Sequence, residues 1–179
     1  ETSFAWCVCA HFVVNVKWIA PPTDRDSTLS PIVTARDGYG NTKTDFVGTS
    51  AFTTDSSLKT LPADYTFLVG DAGVHTFTNE VQLKSVGSFF VTATDGGASG
   101  SQTAIDVSVG ALADFTVTGI ADPTDTDTTL SPVVTARDAY GNTKTDYVGT
   151  IVFTTDSALK TLPAKYTFLV GESGTHTFP

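Results

Sequence analysis

The sequence carries one stretch of 49 residues twice, and this repeat limits the folds open to the chain. Residues 29–77 align with residues 130–178 at a constant offset of 101 and without a gap. The copies differ at ten positions, which in the first copy are Ile32, Gly38, Phe46, Ser50, Ala51, Ser57, Asp64, Asp71, Ala72 and Val74. A gapless repeat of this period indicates one folded unit used in tandem. We therefore expect two units in a chain of 179 residues.

Composition favours an all-β fold for both units. The chain contains 32 Thr and no Met, it is rich in Val and Phe, and no stretch shows sustained helical periodicity. Side chains of this kind suit a pleated, half-buried surface. The net charge of −9 argues against nucleic acid as a partner, because phosphate contacts supply most of that affinity. No run of about 18 apolar residues is present, so we predict no membrane span.

Short strands separated by turns are predicted in the first copy. The turns fall at residues 37–41 and 70–73, where Gly, Asn and Asp accept the backbone angles that turns need. The predicted strands lie near residues 12–19, 30–36, 45–54, 65–69, 74–83, 87–94 and 101–109. An all-β sandwich of two sheets is built from short strands of this kind.

Every even position from Phe4 to Trp18 is apolar, which predicts strand structure with one buried face. At the offset of 101, Phe4 falls on Ile105 and Val14 on Phe115. The strand near 103–109 would end the first repeat, so residues 1–10 correspond in position to the last strand of a preceding repeat. Such a segment would also be able to act as a donor strand that pairs with another subunit.

Three phrases carry a family resemblance: Val33-Thr-Ala-Arg-Asp-Gly-Tyr-Gly-Asn41, Leu61-Pro-Ala-Asp-Tyr-Thr-Phe67 and Gly70-Asp-Ala-Gly-Val-His-Thr-Phe77. They resemble bacterial Ig-like tandem repeats and are similar to the Big-1 repeats of invasin- and intimin-type adhesins. The resemblance implies tandem immunoglobulin-like β-sandwiches of about 101 residues. It also implies an extracellular or cell-surface location in a prokaryote and a role as stalk, spacer or filament body. It brings no catalytic residues.

The predicted organisation has three parts. Residues 1–10 are a last-strand equivalent or donor strand, residues 11–110 form the first Ig-like repeat, and residues 111–179 form the second. The second repeat has no counterpart of Val81–Val109, so we expect it to be incomplete. A sandwich without its last strands exposes core and unpaired edges, which adjoining repeats or another subunit would have to cover.

Six aspartates are the candidate metal ligands. Calcium takes six to eight oxygen ligands, often from loop carboxylates and carbonyls. The residues are Asp24, Asp26 and Asp37 in the first copy, with Asp125, Asp127 and Asp138 in the second. The alternative is a structural role, because Asp is common in turns for its own hydrogen bonding. We expect either no cofactor or calcium.

The repeated His and Tyr residues are interpreted as structural. His75 and His176 lie in strand patterns beside Thr and Phe, and no nucleophile with supporting partners accompanies them. The tyrosines Tyr39, Tyr65, Tyr140 and Tyr166 are interpreted as turn or core anchors rather than carbohydrate platforms.

The sequence therefore predicts a structural, non-enzymatic part of an extracellular filament or stalk. Its partners would be copies of itself or adjoining repeats of one long chain. In the first case Phe4, Trp6 and Val8 of one subunit enter the open second repeat of the next, by strand addition. Such a head-to-tail contact generates a fibre when it does not close. The alternative function is an adhesin or carbohydrate-binding module, which an exposed aromatic patch on the loops would indicate.

Overall fold

The structure is a computed structural model that describes residues 11–16, 23–24, 27–121, 124–125 and 128–179. The predicted donor segment, residues 1–10, lies outside these ranges. The chain divides into two compact units, Glu1–Ser108 and Val109–Pro179, called here the first and second unit.

The fold is all-β, as composition predicts, and the described residues contain no α-helix. The first unit contains β1 (His11–Val16), β2 (Thr23–Asp24), β3 (Pro31–Arg36), β4 (Thr49–Thr54), β5 (Lys59–Thr60), β6 (Tyr65–Thr66), β7 (Val74–Thr76), β8 (Gln82–Leu83), β9 (Gly87–Thr94) and β10 (Ser99–Ser108). A single 3₁₀ turn, Val69–Asp71, follows β6. The second unit contains β11 (Leu112–Thr118), β12 (Val133–Asp138), β13 (Thr150–Ile151), β14 (Tyr166–Thr167) and β15 (Thr175–Thr177).

Two larger sheets form the first unit. One has the order β1-β3-β7, and the other has the order β2-β10-β9-β4-β6; a small third sheet pairs β5 with β8. All pairings are antiparallel except β2 with β10. The buried side chains of both larger sheets form one hydrophobic core. From the first sheet they include Phe12, Val33 and Ala35, together with Phe77, which directly follows β7. From the second sheet they include Phe52, Val91, Ala93, Ile105 and Val107.

Gly100 allows β10 to approach β1 closely. A Cβ added at Gly100 would lie 1.9 Å from the carbonyl oxygen of Phe12. Only glycine avoids this overlap with backbone, so the position sets how near the two strands come.

The second unit contains a three-stranded sheet, β11-β12-β15, and a two-stranded sheet, β13-β14. Its core is smaller and consists of Val134, Phe168 and Phe178, with four partly buried residues packed against it. Those residues are Tyr147, Ile151, Phe153 and Tyr166.

The two copies share local structure at the offset of 101. Ala35 and Ala136 each donate a backbone hydrogen bond to the glycine that precedes the last strand of the copy, Gly73 or Gly174. Phe67 and Phe168 likewise donate to Gly48 and Gly149. The same turns and pairings therefore form from the same residues.

The first strand of each unit departs from that offset by two residues. Phe12 pairs with Ala35, and Phe115 pairs with Ala136, so the structural counterpart of Phe115 is Phe12 and not Val14 as the constant offset predicts. Ring contacts agree, because Phe12 meets Phe46 and Phe67, while Phe115 meets their counterparts Tyr147 and Phe168. A shift of two residues keeps the same face of the strand buried, which is why the alternation did not reveal it.

The predicted strand at 74–83 is interrupted. β7 ends at Thr76 and β8 begins at Gln82, because Asn79 lies between them with a φ of 59°. The hydroxyl of Ser30 accepts the Asn79 N–H at 2.9 Å and holds this kink. Asn tolerates left-handed backbone better than most residues. The strands predicted at 45–54 and 65–69 also form over shorter spans, β4 and β6.

Candidate functional site

Two of the six candidate calcium ligands, Asp37 and Asp138, hold turns. Asp37 Oδ1 accepts the backbone N–H groups of Tyr39 and Asn41, both at 2.9 Å, and its Oδ2 accepts the Asn41 side-chain amide at 3.1 Å. The Asn41 side-chain hydrogen bond is the largest cause that lowers the pKa of Asp37. Asp138 forms the same contacts with Tyr140 and Asn142 in the second unit. Both carboxylates thus serve the turn that follows β3 or β12.

The other four aspartates leave the calcium prediction open. Asp26 and Asp127 lie outside the described residues, and only the backbone of Asp24 is described. Asp125 is exposed, and its carbonyl accepts the Thr128 N–H at 3.1 Å. Within the described ranges, no three His, Cys, Asp or Glu side chains come together to form a metal site. Calcium binding at these residues stays a prediction.

A tyrosine, a carboxylate and a histidine meet in each unit. In the first unit the Tyr65 hydroxyl donates to Asp71 Oδ2 at 3.0 Å, and the same oxygen accepts the Leu68 N–H at 2.7 Å. The His75 ring stacks on Tyr65 with 3.8 Å between centroids. His75 Nδ1 lies 3.9 Å from Asp71 Oδ1. The cluster ties the loop after β6 to β7.

The second unit repeats this cluster with a longer acid. The hydroxyl of Tyr166 donates to Glu172 Oε1, and Glu172 Oε2 accepts the Leu169 N–H at 2.7 Å. His176 Nδ1 lies 2.7 Å from Glu172 Oε1, closer than the corresponding pair of the first unit. The extra methylene of Glu brings the carboxylate nearer to the imidazole while both other contacts are kept.

The electrostatics of these clusters suit a structural task. The Leu68 N–H bond lowers the pKa of Asp71, and the Tyr166 hydrogen bond lowers the pKa of Glu172. Desolvation raises the pKa of Tyr65, and the bond to Glu172 raises the pKa of Tyr166. Each phenol thus stays a donor and each carboxylate stays ionised at neutral pH. A carboxylate already bonded to a backbone N–H and a phenol is poorly placed to act as a base on a substrate.

Sequence reasoning interpreted these His and Tyr residues as structural but missed the carboxylate between them. A signal was present in the repeat. An acid precedes the histidine by four residues in both copies, and the one substitution at that position, Asp71 to Glu172, keeps the carboxylate.

The sheet edge that begins at β13 is the clearest structural difference between the units. In the first unit β4 pairs with β6 through residues 49–50 and with β9 through residues 51–54. In the second unit β13 pairs with β14 through residues 150–151, and the strand then ends. Residues 152–155 are the counterparts of 51–54, and no described strand pairs with them.

This edge of the second unit, defined here as the acceptor edge (residues 151–156), keeps the residues that bind β9 in the first unit. Thr54 Oγ1 donates to the Phe90 carbonyl at 2.5 Å, and the Phe90 N–H donates to Asp55 Oδ1 at 3.0 Å. Thr155 and Asp156 occupy the corresponding positions. There the Thr155 hydroxyl donates to Asp156 Oδ1 at 3.4 Å. The two side chains that clamp β9 in one unit thus contact each other in the other.

Apolar side chains along the acceptor edge are correspondingly open. Phe52, opposite Ala93 of β9 in the same sheet, is 9% exposed, whereas its counterpart Phe153 is only partly buried. Val152, which replaces Ala51, is 70% exposed.

Three comparisons with known proteins gave no match: no protein-family model, no curated protein and no solved structure matches this chain. In the described part of the chain, no helix is long and apolar enough to cross a bilayer. The resemblance to bacterial Ig-like repeats therefore stays a prediction.

Proposed function

We propose that this chain is a structural segment of an extracellular filament or stalk on a prokaryotic cell surface, built from tandem Ig-like β-sandwiches. Its partners are copies of the same chain joined head to tail by strand complementation, or adjoining repeats of one long chain. The protein carries out no catalysis.

The recurrence of loop-fixing contacts is the observation that supports this proposal most. The turn aspartates and the tyrosine–carboxylate–histidine clusters recur in both units, and they hold backbone in both. Repeating such contacts in each unit lengthens a protein by adding units with the same fixed loops, as expected of a chain that serves as a stalk or filament. A tandem array also gains stability from interfaces between neighbouring repeats.

Assembly from copies would use strand addition along residues 151–156, because Thr155 and Asp156 keep the residue types that hold β9 in the first unit. Strand addition supplies main-chain hydrogen bonds and seats alternate side chains in the partner. A heterologous contact of this kind, repeated from copy to copy, extends into a fibre.

Electron microscopy of native material together with a fully denaturing, reducing gel tests the proposal. Filaments that dissolve into an 18.8 kDa species would indicate polymerised subunits. Filaments or stalks that run at several hundred kilodaltons would indicate one long repeat chain. Monodisperse 18.8 kDa particles without self-association would contradict the proposed function.

One observation favours the alternative, an adhesin or carbohydrate-binding module. Tyr39 is 92% exposed on the turn after β3, as an aromatic platform for a sugar would be. Its counterpart Tyr140 is partly buried. A glycan array would test this alternative: binding abolished by Tyr39→Ala but kept by Tyr140→Ala would support it.

A further inference from the structure

The two tyrosine–carboxylate–histidine clusters differ in the length of the acid, and this difference changes what the histidine contacts. In the first unit 3.9 Å separates His75 Nδ1 from Asp71 Oδ1, which is too far for a hydrogen bond. In the second unit His176 Nδ1 lies 2.7 Å from Glu172 Oε1. Both histidine rings stack on the tyrosine of their cluster with 3.8 Å between centroids. The exchange of Asp for Glu therefore adds a hydrogen bond to a cluster that is otherwise the same.

The bonds of Glu172 determine which nitrogen of the His176 ring carries hydrogen. The carboxylate accepts the Tyr166 hydroxyl on Oε1 and the Leu169 N–H on Oε2. These two bonds lower the pKa of Glu172, so the carboxyl group stays ionised in mild acid. Because an ionised carboxylate only accepts hydrogen bonds, Nδ1 of His176 is the donor. A further proton on the ring then binds at Nε2 and makes that donor cationic.

The groups around the His176 ring set the sign of the effect of this proton. In the described part of the chain, Glu172 is the charged group that contacts the ring. The hydrogen bond to Glu172 raises the pKa of Tyr166, so the stacked phenol stays neutral. The remaining neighbours are apolar: the rings of Phe168 and Phe178, and Val134 opposite on β12. A positive charge on the ring therefore meets a negative partner and strengthens the bond to it.

We propose that the second unit contains a pH-sensitive contact, in which protonation of His176 strengthens its bond to Glu172 and holds the loop of residues 168–174 more firmly on β15. This inference goes beyond the proposed filament function and does not depend on it. Glu172 transmits the effect because the same carboxylate holds the Leu169 N–H. The gain is present while the ring is charged and is lost as the pH rises and the ring becomes neutral. The first unit lacks this contact because its histidine and acid are 3.9 Å apart.

Amide hydrogen exchange of the full chain, followed by NMR, tests the pH-sensitive contact. The Leu169 and Leu68 amides each donate to the carboxylate of their cluster at 2.7 Å, so they report opening of the two corresponding loops. Protection factors remove the intrinsic pH dependence of exchange. From about pH 7.5 to about pH 5.5, where histidine gains its charge, we expect the Leu169 protection factor to rise about threefold, as for a partly exposed ion pair. That of Leu68 should stay unchanged, and equal changes at both amides would overturn the proposal.

Exchanging the two acids gives matched variants. Glu172→Asp should remove the rise at Leu169, because the shorter side chain restores the geometry of the first unit. Asp71→Glu should create a rise of similar size at Leu68, because the longer side chain reaches His75. Each variant introduces a residue that the other copy already has at that position, so both are expected to fold. Unchanged pH responses in the two variants would overturn the role assigned to the acid.

A histidine variant separates charge from hydrogen bonding. His176→Gln keeps an N–H donor that does not titrate, so the pH response of the Leu169 protection factor should disappear. The control His75→Gln should leave that response intact. A response that persists in His176→Gln would refute the proposal, because another group would then cause it. If His176→Gln instead unfolds the second unit, protection at Leu169 is lost at both pH values, and the result for Glu172→Asp decides.

Discussion

Replacing Phe12 or Phe115 by Ala offers a direct comparison of the two units. Phe12 is 2% exposed and packs edge-on against Phe46, with 5.4 Å between ring centroids. Phe115 occupies the same place in the second unit but is 36% exposed. The two residues share a strand position and contact rings at equivalent positions, with Tyr147 in place of Phe46, so the difference in burial is the main variable.

The expected magnitudes follow from burial. Truncating a buried Phe to Ala costs about 3–5 kcal/mol, so Phe12→Ala should lower the free energy of unfolding of the first unit by about 4 kcal/mol. The exposed fractions differ by 36 − 2 = 34%. For a side chain that buries roughly 200 Å², this is about 70 Å², or about 2 kcal/mol at ~25 cal/mol per Å². Phe115→Ala should therefore cost only about 2 kcal/mol in the second unit.

Hydrogen exchange measured by mass spectrometry across a urea series resolves the two units, since peptides from residues 27–108 and 128–179 report separately. The opening free energy should fall in the unit that carries the substitution and stay constant in the other. Equal losses for the two variants, or a larger loss for Phe115→Ala, would refute the reasoning from burial. Loss of the whole chain's protection by either variant would show that the units do not unfold independently.

Two further predictions concern the first unit. Gly100→Ala should prevent β10 from packing on β1 and strongly lower the melting temperature. The control Gly97→Ala should be nearly neutral, because its added Cβ would meet only Asp95 Oδ1 at 3.7 Å. Similar losses of melting temperature for the two variants would contradict the close approach at Gly100. The folded-state pKa of Asp71 is lowered, so its contribution to stability is present above the ordinary Asp pKa and is lost as pH falls through the folded value. Asp71→Asn should therefore flatten the loss of stability between about pH 5 and pH 3, measured by urea unfolding. The exposed control Asp64→Asn should keep the wild-type slope, and an unchanged slope in Asp71→Asn would contradict the assigned role.

Sequence alone located the turn at residues 37–41 and the strand near 87–94 well. The turn at Asp37–Asn41 forms as predicted, with the Gly40 N–H bonded to the Asp37 carbonyl and Gly40 at a φ of 87°. The strand near 87–94 forms over its whole predicted length as β9. These features depend on local chemistry, namely turn residues and alternation, which a sequence displays directly.

The candidate sites depend on contacts between residues whose spacing along the chain does not show that they meet. Asp71 and Tyr65 stand on opposite sides of a loop, and nothing in their spacing shows that the carboxylate meets both the phenol and the Leu68 N–H. The role of Asp55 was likewise hidden, because its partner Phe90 is 35 residues away. The spatial partner of a polar side chain is set by the packing of strands distant along the chain.

The sequence by itself determined the all-β class, the repeat of residues 29–77 at 130–178 and the position of the turn at residues 37–41. The tertiary structure alone decided which strands are neighbours, the two-residue shift that makes Phe12 the counterpart of Phe115, and the pairing of β4 with β9. The physical reason is the strand's period of two. Any even shift in register, and any choice of neighbouring strand, leaves the same side chains facing inward, so only packing in three dimensions distinguishes among them.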